Sequence, residues 1–146
     1  MNKKYFVSPE LAKLLEEKGF NEDCDYSYVD GSLYNNYDED FPSMYELLNT
    51  EDDVINAPTF QMAVSWLREN YQINISVDIE TSENPIEFPP KYYCYVCSVT
   101  NGYSLIEYGE GKTNELTIKN GNGPRRFDSP EEAFETAIMF VCKNLI

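Results

Sequence analysis

The 146-residue sequence contains no histidine, and this absence excludes a large part of catalytic and metal-binding chemistry. Ser-His-Asp and Cys-His catalytic centres, imidazole general bases and His-ligated zinc sites all require that side chain. The sequence also has no apolar run near the ~18 residues of a membrane-spanning helix, and its first residues lack the apolar stretch of a signal peptide. We therefore expect a cytoplasmic protein with four reduced cysteines.

Basic residues are scarce, with 11 Lys and Arg against 26 Asp and Glu, which gives a formal net charge of −15 at pH 7. Nucleic-acid phosphates and anionic lipid surfaces both bind proteins through Lys and Arg. We therefore expect neither direct nucleic-acid binding nor membrane binding. No basic residue lies between Lys18 and Arg68, and 11 of the acidic residues fall in that gap. The negative charge is thus concentrated in residues 19–53.

Helix signals stand at both ends and in the middle of the sequence. Ser8-Pro9 opens a helix that Gly19 closes, because Ser caps a helix, Pro suits the first helical position and Gly suits the end. A second helix, over 58–71, has apolar residues at helical spacing, although Met62 and Trp66 lie off that stripe. This helix therefore either buries a wide face or presents an aromatic to a partner. A third helix, over 130–145, is capped by Asp128 or Ser129.

Strand signals lie between the helices. Asp30-Gly31 favours a tight turn in a hairpin over 25–36, and residues 43–48 follow with a weaker helical signal. Apolar and polar residues alternate over 73–79, the pattern of a strand with one buried face. Two further strands are predicted over 92–99 and 104–108, and the turn at Asn101-Gly102 joins them. An edge strand is predicted over 116–118.

These patterns predict one α+β domain over residues 1–146. The main part, residues 56–146, is predicted as a three- to four-stranded antiparallel sheet with two helices packed on one face, in the order α-β-β-β-α. The N-terminal helix and short hairpin are additions to this scaffold, with residues 19–53 as an acidic, aromatic-rich segment.

Two short motifs suggest metal binding and phosphate binding, but the residues around each motif do not fit these functions. Cys94-Tyr95-Val96-Cys97 lies in a strand-like run, where positions three apart face opposite sides and cannot chelate one ion. Gly111-Lys112-Thr113 lacks the earlier glycine and the following helix of a phosphate-binding loop. We therefore expect no cofactor, no metal site and no enzymatic activity. An enzyme that uses carboxylates or a thiol is the weaker alternative.

Residues 19–53 contain the candidate partner-binding residues. Tyrosines interleaved with carboxylates are amphipathic anchors in a negative field, which suits a protein partner with a basic surface. The alternative is that the tyrosines fill the sheet while the carboxylates maintain solubility. The candidate residues are Asp25, Tyr26, Tyr28, Asp30, Tyr34, Tyr37, Asp38, Glu39 and Asp40.

Three segments together resemble a known family. They are residues 7–20, opening with Val7-Ser8-Pro9, residues 55–69, opening with Ile55-Asn56-Ala57, and residues 129–146, opening with Ser129-Pro130-Glu131. They resemble small uncharacterised proteins encoded by phages and prophages of gut bacteria. The resemblance implies an accessory protein of a mobile element and carries no functional residues.

The predicted α-β-β-β-α order also resembles the topology of double-stranded-RNA-binding domains. Those domains rely on Lys near the start of the last helix, where this sequence has Glu131, Glu132 and Glu135. The resemblance therefore extends to topology only. The leading functional hypothesis is a protein-interaction module of phage type. A nucleic-acid mimic that inhibits a basic host defence or regulatory protein, and a structural component of the virion, are the alternatives.

Overall fold

The protein folds as two compact units, Met1–Met62 and Ala63–Ile146, with an α+β architecture as predicted. The computed structural model describes residues 2–49, 53–98, 104–105 (backbone only), 116 and 123–146. Residues 19–49 and 53 lie in the first of these units, which has its own helices and sheet.

The first long helix, α1 (Pro9–Glu17), begins and ends at the predicted signals. The Ser8 side chain accepts a hydrogen bond from the Leu11 N–H at 3.1 Å, and Pro9 takes the first position. Gly19 adopts a φ of 96°, so that the Gly19 N–H reaches the Glu16 carbonyl and the Phe20 N–H reaches the Leu15 carbonyl, each at 2.9 Å. This is a Schellman cap, and it gives the carbonyls of Leu15 and Glu16 hydrogen-bond donors at the end of α1.

The predicted hairpin is confirmed and belongs to a three-stranded antiparallel sheet of order β2-β1-β3. Strands β1 (Tyr26–Val29) and β2 (Ser32–Asn35) are joined by two residues, Asp30 and Gly31, whose φ values are 51° and 72°. A type I′ turn requires positive φ at both positions. Strand β3 (Ile55–Asn56), which the sequence did not predict, pairs with the other edge of β1.

A short helix, α2 (Met44–Leu48), follows the hairpin at the position of the weak helical signal. Ser43 forms a capping box with Glu46: the Glu46 N–H donates to Ser43 Oγ at 3.2 Å, and the Ser43 N–H donates to Glu46 Oε2 at 2.9 Å. None of the five residues of α2 is buried, so this capping box stabilises a helix that lies on the surface.

Helix α3 (Phe60–Tyr71) contains the boundary between the two units, after Met62. Trp66 is buried, and its ring contacts that of Tyr71 edge to face at 5.3 Å. Of the two alternatives for this helix, burial of a wide face is therefore the observed one. Gln72, with a φ of 56°, ends α3 and leads directly into the next strand.

The sheet of the second unit has the order β4-β5-β6 and is antiparallel. Strands β4 (Ile73–Glu80) and β5 (Lys91–Ser98) pair along their whole length, from Ile73 opposite Ser98 to Glu80 opposite Lys91. Strand β6 is described at Ser104–Leu105 only. Outside the described residues lie the predicted Asn101-Gly102 turn, Gly111-Lys112-Thr113, and the edge strand over 116–118 except Leu116.

The last helix, α4 (Pro130–Asn144), lies against β4 and β5. Ser129 is its cap, accepting a hydrogen bond from the Glu132 N–H at 3.1 Å. The buried side chains of α4 and of one face of the sheet supply the core of this unit. They include Ile73, Ile75, Cys94, Val96, Ala137, Ile138 and Val141. Among the described residues, no helix is both long enough and apolar enough to cross a membrane.

Candidate functional site

The tyrosines of β1 are held within the first unit. Tyr28 is buried, and its hydroxyl donates a hydrogen bond to the Val7 carbonyl at 2.6 Å. Tyr26 is half-buried, and its ring lies 4.8 Å from that of Phe6. Tyr28 therefore stabilises the unit from inside and offers no surface to a partner, while Tyr26 offers only part of its ring.

The tyrosines that follow differ from those of β1 in exposure. Tyr34 is half-buried and meets Phe41 edge to face at a ring distance of 6.2 Å. Tyr37 is 81% exposed. Its N–H donates to Asn35 Oδ1 at 2.9 Å, so the backbone at Tyr37 is fixed while the ring remains open to solvent. Tyr37 is thus the candidate tyrosine most available to a partner.

All five candidate carboxylates, Asp25, Asp30, Asp38, Glu39 and Asp40, are exposed. The last three follow Tyr37 directly and lie in a run of turns. In these turns the Asp38 N–H donates to the Asn35 carbonyl at 3.2 Å, and the Phe41 N–H donates to the Asp38 carbonyl at 3.1 Å. The turns hold Asp38, Glu39 and Asp40 on one short, ordered stretch of backbone.

Helix α2 adds exposed apolar side chains that the sequence did not place among the candidates. Met44 is 73% exposed, and Tyr45 and Leu48 are each 77% exposed, with the exposed Glu46 between them. The capping signal Ser43-x-x-Glu46 predicts a helix. Five residues are too few for a hydrophobic pattern to predict whether the apolar side chains of that helix face solvent. We name residues 37–48 the acidic aromatic segment.

Asp30 and Asp25 lie apart from this segment along the chain. Asp30, in the hairpin turn, lines a cavity of about 210 Å³ together with Lys13, Asp53 and Ile55. Asp25 precedes β1 and is next to Cys24. The candidate residues therefore occupy four places in the first unit: the hairpin strands, the lining of this cavity, the surface before β1, and the acidic aromatic segment.

Cys24 is a buried thiol in an acidic setting. Burial, which is the largest cause, and the nearby carboxylates of Asp25, Asp23 and Glu22 together raise its pKa from the ordinary value of 9.0 to about 11. A nucleophilic cysteine needs a lowered pKa, so these surroundings make Cys24 unreactive at neutral pH.

The other cysteines lie in the second unit. Cys94 and Cys97 are both in β5, Cys94 buried and Cys97 half-buried, and Cys142 is buried in α4. The strand predicted for the Cys-x-x-Cys motif is therefore observed. Within the described part of the chain, no group of three or more His, Cys, Asp or Glu side chains is arranged to hold a metal ion.

The acidic aromatic segment thus brings four largely exposed apolar side chains and four exposed carboxylates together within 12 residues. In comparisons with protein-family models, with curated proteins and with solved structures, nothing matches this chain.

Proposed function

We propose that this protein is a non-enzymatic binding module that captures a partner protein with a basic surface through the acidic aromatic segment. The observation that carries the proposal is the exposure of Tyr37, Met44, Tyr45 and Leu48, each more than 70% open to solvent, among Asp38, Glu39, Asp40 and Glu46.

Large apolar side chains that are held in water have not gained the free energy of burial. Complete burial of one such side chain is worth about 1.5–3 kcal/mol. A partner that covers these four exposed side chains, which lie within 12 residues, would therefore gain binding free energy from their burial. Interfaces obtain most of their affinity from a few anchors of this kind, surrounded by polar groups that exclude water. Tyr37 and Tyr45 have the side chains best suited to that role.

The charge of the first unit gives the chemistry of the partner. Residues 1–62 contain 14 acidic and four basic residues, a net charge of −10, and all four basic residues precede residue 19. A negative surface steers a positive one and speeds its association. The hydrogen-bonded turns and the capping box fix the anchors before the partner arrives, which reduces the entropy lost on binding.

The resemblance to phage-encoded proteins supports a narrower version of this proposal. In that version the partner is a nucleic-acid-binding protein of the host cell, and carboxylates such as Asp38, Glu39 and Asp40 take the place of phosphates. The four exposed apolar side chains add contacts that a nucleic-acid backbone lacks, so such a mimic would bind its target more tightly than nonspecific nucleic acid does.

Two variants test the proposal, one for each kind of contact. The first replaces the three carboxylates (Asp38→Asn, Glu39→Gln, Asp40→Asn), and the second replaces three anchors (Tyr37→Ser, Tyr45→Ser, Leu48→Ser). The wild-type protein is used to capture basic proteins from host lysate at low salt, and each captured protein is then titrated. We expect both variants to weaken binding by about tenfold or more.

Two control variants distinguish the effect of the acidic aromatic segment from the effects of net charge and of nonspecific hydrophobic contact. The charge control replaces three exposed carboxylates of the same unit (Glu10→Gln, Glu16→Gln, Glu17→Gln), and the apolar control is Ile86→Ser in the second unit. Both controls should bind as the wild type does. Equal binding by the two segment variants and the wild type would contradict the proposal, and displacement of the partner by double-stranded DNA would support the mimicry version.

A further inference from the structure

The connection between β4 and β5, residues 81–90, presents two large apolar side chains to solvent. Ile86 is 95% exposed and Phe88 is 60% exposed. Hydrogen bonds fix the connection: the Phe88 N–H donates to the Asn84 carbonyl at 2.9 Å, and Ser82 Oγ donates to the Phe88 carbonyl at 2.9 Å. The Asn84 side chain also accepts from the Glu87 N–H at 3.3 Å. Ile86 is therefore held outward on an ordered turn.

A cavity of about 340 Å³ lies on the same connection. Phe88 and Pro89 give its wall an apolar part, and Thr81 and Ser82 also line it. Ile86 does not line this cavity, although it is only two residues from Phe88. The projecting side chain of Ile86 and the open cavity thus lie on the same connection.

The rim of this cavity has balanced charge, unlike the chain as a whole. Its charged lining consists of two acidic residues, Glu80 and Glu87, and two basic residues, Lys91 and Arg126. Arg126 Nε contacts Glu80 Oε2 at 2.6 Å, and Lys91 forms an ion pair with Asp128. Two copies of a chain with a net charge of −15 repel each other over most of their surfaces, but not through a rim of this composition.

We propose that this connection is a site of self-association, in which Ile86 of one copy enters the cavity beside Phe88 of a second copy. A two-fold dimer requires each copy to offer both halves of the contact, and here the projection and the recess lie on one connection. The two acidic and two basic residues of the rim cancel in charge, so two copies do not repel each other there. A basic partner would gain little at this rim, because its charged lining has no net negative charge to attract it.

The contact is small, so the dimer is weak and forms at high protein concentration. Salt should strengthen it, because screening reduces the repulsion between two chains of −15 while burial of Ile86 does not depend on attraction between charges. This dependence is opposite to that of the acidic aromatic segment, whose binding to a basic partner weakens as salt rises.

Sedimentation velocity of the full chain tests the proposal between about 10 μM and about 1 mM protein, where a small interface would associate. The measurements are made at about 0.1 M and about 1 M NaCl, where the Debye length is about 10 Å and about 3 Å. We expect a monomer–dimer equilibrium that is stronger at the higher salt. Ile86→Ser should raise the dimer dissociation constant by about tenfold or more.

Val54→Ser is the matched control, since Val54 is an exposed aliphatic residue of the other unit, lies outside the acidic aromatic segment and should leave the dimer unchanged. A wild-type chain that stays monomeric throughout would overturn the proposal, as would a dimer that Ile86→Ser leaves intact or that weakens with salt. None of these outcomes bears on the acidic aromatic segment, whose own test uses a different partner and different variants.

Discussion

Tyr28 and Tyr37 lie nine positions apart and have opposite surroundings. Tyr28 is buried with its hydroxyl bonded to the Val7 carbonyl, whereas Tyr37 is largely exposed with only its backbone fixed. At the scale of single residues, the same side chain therefore serves folding at one position and remains available for binding at the other.

We expect Tyr28→Phe to lower the free energy of unfolding by about 1–3 kcal/mol, because it removes a buried hydrogen bond and leaves the Val7 carbonyl without that donor. Tyr37→Phe makes the same chemical change in solvent and should alter stability by less than about 0.5 kcal/mol. Urea unfolding of both variants measures the difference. Equal effects of the two substitutions would contradict the role assigned to the Tyr28 hydroxyl.

Cys24 provides a test that depends on pH. Its pKa in the folded protein, about 11, lies above the ordinary 9.0, so the unfolded chain loses this thiol proton first as the pH rises. The stability that the protonated thiol supports is therefore complete below pH 9 and is lost between about pH 9 and about pH 11. We expect the rate of Cys24 alkylation, followed by peptide mass spectrometry, to keep rising up to about pH 11, whereas the rate for an ordinary thiol levels off near pH 9.

Asp25→Asn should move the onset of Cys24 alkylation to lower pH, because it removes the largest of the charge contributions. Asp38→Asn, an exposed carboxylate that is not among those contributions, is the control and should leave the onset in place. A Cys24 thiol that alkylates fully at pH 8 in the folded protein would show that burial does not protect it.

At the scale of elements, α2 is a helix of five residues whose apolar side chains are not buried. A helix this short has little stability of its own, so the Ser43–Glu46 capping box has a large share in keeping it formed. The capping box thereby determines whether Met44, Tyr45 and Leu48 are presented together or as parts of a fluctuating loop.

We expect Ser43→Ala to weaken binding of a basic partner several-fold, while the unfolding free energy of the whole protein changes little, because the loss of the cap is local. Ser129→Ala removes the cap of α4 and should do the reverse, lowering stability by about 1 kcal/mol without affecting binding. Partner titration and urea unfolding of both variants measure the two effects. Unchanged binding by Ser43→Ala would show that α2 does not present the anchors.

The elements also show which parts of the fold a single sequence predicts. The hairpin, α1 and α4 were predictable because Asp30-Gly31, Gly19 and Ser129 are local signals that act through their own backbone. Strand β3 was not, since two residues have no periodicity and pair with β1 only through the fold. The site was half predictable: charge identified residues 19–53, but burial of Tyr28 and exposure of Leu48 depend on distant contacts.

At the scale of the whole molecule, charge is divided unequally between the two units. Residues 63–146 contain 12 acidic and seven basic residues, a net charge of −5, against −10 for residues 1–62. The ion pairs of Arg126 with Glu80 and of Lys91 with Asp128 both lie in the second unit. Among the described residues, no basic side chain forms an ion pair with Asp38, Glu39 or Asp40, so these carboxylates repel one another.

The carboxylate variant of the acidic aromatic segment should therefore be more stable than the wild type at low ionic strength. We expect a higher urea midpoint at about 0.01 M salt and no difference at about 1 M, where the Debye length is about 3 Å. Glu80→Gln, which removes a carboxylate that is paired with Arg126, is the control and should give no gain. Loss of stability in the segment variant would mean that its carboxylates have a structural role.

A variant that is more stable yet binds less well would identify these carboxylates as residues kept for binding at a cost in stability. Solubility alone would not explain such a result, because the three-carboxylate control in α1 changes the net charge by the same amount.

The boundary between the two units falls inside α3, after Met62, and this position has a consequence for how the gene can change. Recombination at the boundary would divide a 12-residue helix into pieces of three and nine residues, both too short to be stable alone. Recombination in a loop separates units without this penalty. A recombinant joined at this boundary therefore keeps α3 only if the incoming chain supplies the missing helical residues, which restricts the exchange of either unit.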